Sequence, residues 1–289
     1  MQAFMSAEWT PTTEHRRDRV TAAAARSLHD LLDRSGAAPA EGERLPILWH
    51  WLAFTPQASQ CDIGQDGNPT TGGFLPPTAG RRRMYAGGKV TVTGDVRIDQ
   101  PLERASVVSH VAGKRGKSGA LLFVTVDHEI LATGGAIRDR NDIVYKDPQP
   151  TSTVAPVAQS LGDNEWTGGR TVNIDPVVLF RFSALTYNAH RLHYDRDYAT
   201  KEEGYSGLVV HGPLQAILLA DLAHRMFPDQ AVESFAFRSN APAFDNSPLQ
   251  LRGLSNAGAT ELELAVFTGN GTQSMSARAT LAPRKEKLI

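Results

Sequence analysis

A single cysteine, Cys61, stands among 289 residues. An internal disulfide is excluded, and the chain fits a reducing compartment. No histidine neighbours Cys61 in sequence, so it lacks the nearby partner that activates a thiol nucleophile. Net charge is nearly absent: 30 Lys and Arg against 31 Asp and Glu give −1. No overall field draws such a chain to nucleic acid or to an anionic membrane, and neither is expected as a partner. No apolar run reaches the roughly 18 residues that span a bilayer, and the longest candidate, 208–223, is interrupted by His211, Gln215 and Asp221. The first residues carry Glu8, Glu14 and Asp18 instead of a secretory apolar core. A cytoplasmic location is expected. Motifs for a metal, a nucleotide or a flavin are also missing, so no cofactor is expected.

What is present is an ordinary globular composition, 41% hydrophobic and 21% charged, long enough for one large domain or two. Residues 1–15 read as loosely attached. Asp18 to Asp33 is alanine-rich with apolar residues at helical spacing. The aromatic run Leu48-Trp49-His50-Trp51-Leu52-Ala53-Phe54 reads as a buried helical turn, and 62–73, rich in Gly, Pro, Asn and Thr, as a loop. Alternation at 89–93, 95–98, 121–126 and 136–140 predicts strands. The second half repeats this order. Val177 to Phe182 reads as an apolar strand and Leu214 to Met226 as a helix stopped by Pro228. Strands are predicted at 234–238, 248–254, 261–267 and 273–281. The expected layout is an N-terminal domain over 1–150, a connector over 151–170 and a C-terminal domain over 171–289, with no letter-by-letter repeat behind it.

Chemistry concentrates between these elements. Thr186-Tyr187-Asn188-Ala189-His190-Arg191-Leu192-His193-Tyr194-Asp195 is followed by Val210-His211-Gly212-Pro213-Leu214. Histidine is the side chain best suited to proton transfer near neutral pH. Asn188 and His190 would diverge on a helix but share a side of an extended or looped segment, with His193 brought in by the following turn. Asp195 can orient an imidazole or cap the next turn. Pro213 suits the first turn of a helix, where the N–H of Gly212 points outward with the helix dipole behind it, a donor for a developing oxyanion. A base facing such a donor suits water addition to a conjugated thioester through an enolate. Other readings stay open. A metal could take His190, His193, Asp195 and His211. The histidines could simply satisfy backbone groups in a crowded turn. A serine hydrolase would need Ser183 or Ser206, and neither sits in a Gly-x-Ser-x-Gly elbow.

These motifs resemble the active-site signature of MaoC-like hotdog hydratases and dehydratases. The subgroup they are most similar to holds mesaconyl-C4-CoA and itaconyl-CoA hydratases and mitochondrial-type 3-hydroxyacyl-thioester dehydratases. The resemblance is carried by Thr186 to Asp195, Ala199 and His211-Gly212. In the first half it is carried by Trp49-His50-Trp51-Leu52, Gly72-Gly73-Phe74-Leu75-Pro76-Pro77 and Arg82-Arg83-Met84-Tyr85-Ala86-Gly87-Gly88. It spans about residues 45–285. Three positions depart from the wider family: Asn188 stands for an aspartate, His190 for an asparagine and Arg191 for a proline. The resemblance implies an α+β double hotdog, two antiparallel sheets each wrapped around a long helix. It places the acid–base motif in the second half only, with the first half widening the acyl pocket. It puts His193 on the catalytic histidine and Gly212 on the oxyanion glycine. Asn188 and His190 are then expected to position the water.

An acyl-CoA thioester is the implied partner, most simply a C5 dicarboxylic enoyl-CoA, and a homodimer is a possible assembly. Arginine geometry suits CoA phosphate or a substrate carboxylate. Arg82, Arg83, Arg191 and Arg238 are therefore candidate substrate contacts, together with Tyr187 and His211. A fatty-acid-type dehydratase, a hotdog thioesterase and a non-catalytic acyl-CoA-binding protein are the competing functions.

Overall fold

The computed structural model describes residues 9–78, 80–116, 119–147, 166–255 and 260–283. The first half runs β1 (Thr13–Asp18), α1 (Ala22–Leu31), then β2 (Arg82–Gly94), β3 (Leu102–Gly116), β4 (Gly119–Ala132) and β5 (Gly135–Lys146). The second runs β6 (Gly168–Val172), α2 (Pro176–Thr186), α3 (Gly212–Met226), then β7 (Val232–Ser239), β8 (Leu249–Leu254), β9 (Glu261–Phe267) and β10 (Gln273–Leu281). The connector expected over 151–170 lies, up to residue 165, outside the described residues.

Among the described residues, ten strands form one sheet in the order β1-β3-β4-β5-β2-β7-β10-β9-β8-β6. Every pairing is antiparallel. Read outward from the middle, the two halves have the same topology. The two expected sheets thus meet edge to edge along β2 and β7, from Gly87↔Arg238 to Thr91↔Ser234. Pairing these edges covers backbone groups that would otherwise be open to other chains. With α3 packed on the second-half sheet this is a double hotdog, but the long helix expected for the first half is absent among the described residues, where only short 3₁₀ turns lie between α1 and β2.

Three local expectations change. Val177 to Phe182 is not a strand but the body of α2. An apolar run has no readable period, and the Asp175 carboxylate caps the helix by accepting the Val178 N–H at 2.8 Å, with Pro176 in the first turn. Residues 95–98 form a turn with one isolated bridge, Arg97 to Arg44. From Thr13 onward the N-terminal segment is not loose, because β1 pairs with β3 from Thr13↔Val107 to Asp18↔Leu102. The aromatic run is the buried helical turn expected, a 3₁₀ turn over Trp49–Leu52.

The second-half sheet curls around α3, which is buried over Leu214–Ala223 and faces Phe235, Leu251, Leu262 and Leu264, all buried. One acid sits inside that helix. Asp221, 1% exposed, meets Arg34 Nε at 2.6 Å, Arg225 Nε at 2.7 Å and Arg170 at 3.1 Å. Arg225 also donates to the Leu32 and Asp33 carbonyls at 3.0 Å each. This one carboxylate therefore ties α3 to β6 and to the end of α1. Asp221→Ala leaves three guanidinium groups around a vacated site and is expected to lower unfolding stability by about 3–5 kcal/mol. Urea denaturation measures it, and a loss below about 1 kcal/mol, the worth of a surface pair, would contradict this role.

Candidate active site

The catalytic-type residues enter from the end of α2. The helix stops at Tyr187, whose left-handed backbone (φ 49°) lets the Asn188 N–H return to the Ser183 carbonyl at 2.8 Å. Asn188 then accepts the His190 N–H on its own Oδ1 at 3.0 Å, an Asx turn that sharpens the loop. A 3₁₀ turn over Arg191–His193 follows. Asp195 caps the next turn by accepting the Tyr198 N–H at 3.0 Å. Of the two roles open to Asp195, capping is the one it performs.

His193 is buried, 7% exposed. Its Nδ1 lies 2.7 Å from the Val209 carbonyl oxygen. A carbonyl only accepts, so Nδ1 carries the proton and Nε2 keeps its lone pair. The ring stacks on His211 with centroids 3.6 Å apart and planes 20° apart, and His190 stands edge-on at 5.4 Å. His211 Nε2 is 2.9 Å from the Ser183 hydroxyl. Burial pushes the His193 pKa down to about 3, with the neighbouring His190 adding to it. Burial likewise lowers His190 to about 4, Asp66 opposing and Arg83 reinforcing. His211 is also lowered, first by burial and then by the other two rings. All three rings are neutral at physiological pH, and two buried rings can stack only because neither is charged.

His211 also introduces α3. It is the residue before Gly212, and no side chain caps the helix start, so the Gly212 N–H is left as an outward donor. The Tyr85 ring lies against this glycine: a Cβ there would sit 3.0 Å from Tyr85 Cδ1. Tyr85 comes from the first half and donates its hydroxyl to Asn141 Oδ1. The site is thus built across the seam between β2 and the second half, within one chain.

Of the residues singled out in sequence, Asn188, His190, His193, His211 and Gly212 are brought together, and Arg83 is near enough to act on His190. Others are placed differently. Arg191 is held by Asp195 at 2.7 and 3.0 Å and by the Gln65 carbonyl at 3.1 Å, with its guanidinium 4.2 Å above the Tyr198 ring. It clamps the loop, and its donors are turned to the protein. Arg82 is likewise engaged, by Glu203 Oε2 at 2.8 Å and the Glu202 and Glu203 carbonyls. Tyr187 is 68% exposed at the helix end. Arg238 alternates with the buried Phe235 and Phe237 and so projects from the opposite face of the sheet. The metal set of His190, His193, Asp195 and His211 is not assembled, because Asp195 serves Arg191 and the Tyr198 amide. Ser183 is buried against His211, and Ser206 is exposed.

Tyr85, inside the motif Arg82 to Gly88, carries no sign of this role in sequence, and 62–73 reads there only as a loop. That loop clasps the catalytic one: the Arg191 N–H donates to the Asp66 carbonyl at 2.8 Å. Gly67 (φ 86°) packs so closely that a Cβ would fall 1.9 Å from the Ala189 carbonyl oxygen. Gly67→Ala must displace one loop from the other. A misplacement of about 1 Å can cost on the order of 10²-fold, so kcat at saturating substrate is expected to fall at least ~10-fold. An unchanged kcat would separate this loop from the site.

Comparison with known proteins follows the same line. A profile described as hydroxyacyl-thioester dehydratase type 2 matches residues 48–245. A mesaconyl-C(4)-CoA hydratase of Chloroflexus aurantiacus is 44% identical over 261 residues, covering 88% of this chain and 91% of that protein. Among solved structures, a MaoC-like dehydratase superposes with a TM-score of 0.68 at 12% identity, over 95% of this chain and 98% of its own. HtdX of Mycobacterium tuberculosis superposes with a TM-score of 0.65 at 15% identity, over 93% and 99%. At such identities the structural likeness speaks for the fold.

Proposed function

The chain belongs to the hydroxyacyl-thioester dehydratase type 2 family of MaoC-like hotdog hydro-lyases, and from that membership we propose that it reversibly adds water to a short dicarboxylic enoyl-CoA, such as mesaconyl-C4-CoA. The observation that carries the reading is the state of His193. Its proton is fixed on Nδ1 by the Val209 carbonyl, and its ring is stacked beside the residue that opens α3.

In this reading Nε2 of His193 takes a proton from water. The hydroxide forms its bond to the β-carbon of the enoyl group, and the π electrons move to the thioester oxygen. The Gly212 N–H stabilises that enolate oxygen, aided by the helix dipole. The Nε2–H then returns its proton to the α-carbon, so one water supplies both the hydroxyl and the hydrogen. Asn188 spends Oδ1 on the His190 amide, which leaves its NH₂ to hold the water oxygen. An asparagine cannot share the proton transfer, so one imidazole performs both steps. No step calls for a cofactor. The site draws Tyr85 and Gly212 from the two halves of one chain.

The test is to incubate the enzyme with mesaconyl-C4-CoA and follow conjugated absorbance and free thiol together. Hydration removes the absorbance and releases no thiol. Stoichiometric thiol release would instead assign a thioesterase, and binding without either change a non-catalytic acyl-CoA carrier.

A further inference from the structure

The concave face of the first-half sheet does not look like a core. Strand alternation turns Arg104 and Ser106 of β3, His128 of β4, and Asp139 and Asn141 of β5 to the same side as the buried Leu102, Val126, Ile130 and Ile143. Register sets Ser106 opposite His128, and His128 opposite Asp139. This polar band separates two apolar clusters, one holding Leu102, Ile130 and Ile137, the other Val108, Val126 and Ile143. In the second half the corresponding face is apolar and covered by α3. In the first, the segment between α1 and β2 supplies only short 3₁₀ turns.

A cavity of about 150 Å³ lies over the band. Three buried polar atoms of its lining have no hydrogen-bond partner among the described residues: Arg104 Nε, His50 Nδ1 and Asp139 Oδ1. The Arg104 guanidinium rests 4.5 Å above the Phe54 ring and makes no ion pair among the described residues. Burial, and then Arg16, lower its pKa to about 10 against the opposing pull of Glu14, Asp139 and Asp18, so it stays a cation at neutral pH. Asp139 Oδ2 is by contrast satisfied, by His50 Nε2 at 3.0 Å and Trp51 Nε1 at 2.8 Å. Leaving buried polar atoms of charged side chains without hydrogen-bond partners is costly, and packing alone would select against it. The cavity also adjoins the site. Thr186, two residues before Asn188, lines it. So does Asn141, the acceptor for the Tyr85 hydroxyl, and the Tyr85 ring lies against Gly212.

We propose that this cavity receives the acyl end of the substrate, and that Arg104 pairs with a carboxylate at the end of a short chain remote from the thioester. The inference rests on the hydratase reading and adds the residue that selects the substrate class. Arg104 Nε–H faces the carboxylate, while Asp139 Oδ1 accepts a water or hydroxyl held beside it. A space of this size suits a chain of a few carbons.

The test compares two CoA thioesters of equal length, mesaconyl-C4-CoA and its analogue ending in methyl instead of carboxylate. Wild type is expected to favour the carboxylate by at least ~100-fold in kcat/KM, and Arg104→Met to remove most of that preference, as loss of one partner of a buried charged pair does. Met fills the place of the arginine stem, and thermal unfolding checks the fold. Arg104→Lys keeps the charge without the planar fork and should retain part of the preference. Equal losses on both substrates in a folded Arg104→Met protein would assign the arginine to structure and overturn the proposal. So would a wild-type enzyme that hydrates both thioesters equally well, with the hydratase reading left standing. Should Arg104→Met not fold, an Arg104→Lys enzyme with the full wild-type preference overturns the proposal. Hydration of neither thioester would refute the hydratase reading itself.

Discussion

Replacing His193 by glutamine lowers kcat at least ~10²-fold, the usual worth of a positioned general base, and leaves KM for the enoyl-CoA nearly unchanged. Glutamine can keep a hydrogen bond to the Val209 carbonyl and fill part of the ring's volume, but it cannot accept and return a proton. The split between kcat and KM matters, because a residue that only shaped the pocket would raise KM as well. Asn188 gives the loss its size, because an amide at that position cannot share the transfer as a carboxylate would. Steady-state kinetics on mesaconyl-C4-CoA, with thermal unfolding as a control for folding, reads the effect. A folded His193→Gln enzyme with near-normal turnover would remove this imidazole from the mechanism.

Acidification is expected to destabilise the protein at mild pH. His193 is lowered to about 3, His190 and His128 to about 4, and His211 also lies below its ordinary value, burial being the largest cause for each. Above about pH 6.5, the ordinary histidine value, folded and unfolded chains both hold these rings neutral, and they contribute no pH dependence. Between about 6.5 and 4 the unfolded chain binds protons that the folded one refuses, so stability falls as pH falls. Each ring contributes on the order of 1.4 kcal/mol per pH unit. Together they lower the stability of the folded chain steadily as the pH falls below about 6.5. Thermal unfolding followed from pH 7.5 to 4.5 should show a plateau and then a steep drop below 6.5. A flat profile down to pH 5 would mean that the rings are hydrated and charged in the folded state, against the stacked geometry.

The histidine block was legible because two imidazoles in a short polar segment, followed by a third before an apolar helix, are costly to bury without a purpose. Helix α3 was legible from its apolar stripe and the proline beyond it. Strands β9 and β10 were legible from alternation that needed no tertiary knowledge. Helix α2 was not, because Val177-Val178-Leu179-Phe180 carries no period, and only the Asp175-Pro176 pair marked a helix start. The arginines were misplaced for a different reason. Arg191 has Asp195 four residues on, a pair that could have been read as a clamp. Arg82 meets Glu203, and Arg34 meets Asp221, only after the two halves have docked. Arg104 shows the same limit: Leu102-Glu103-Arg104-Ala105-Ser106 alternates, but nothing in it says which side faces inward. What two halves build together at their seam, Tyr85 against Gly212 included, is set by tertiary packing that short-range pattern does not encode.

The central claim is that an imidazole and an amide N–H act on opposite ends of one bound thioester. The infrared difference spectrum of an enoyl-CoA labelled with ¹³C at the thioester carbonyl, bound to wild type and to His193→Gln, tests it. The carbonyl stretch should move to lower frequency in both proteins, because the Gly212 donor does not depend on His193, while water adds to the double bond only in wild type. A carbonyl that keeps its solution frequency when bound would show that the start of α3 does not hold the thioester, and the account would fail.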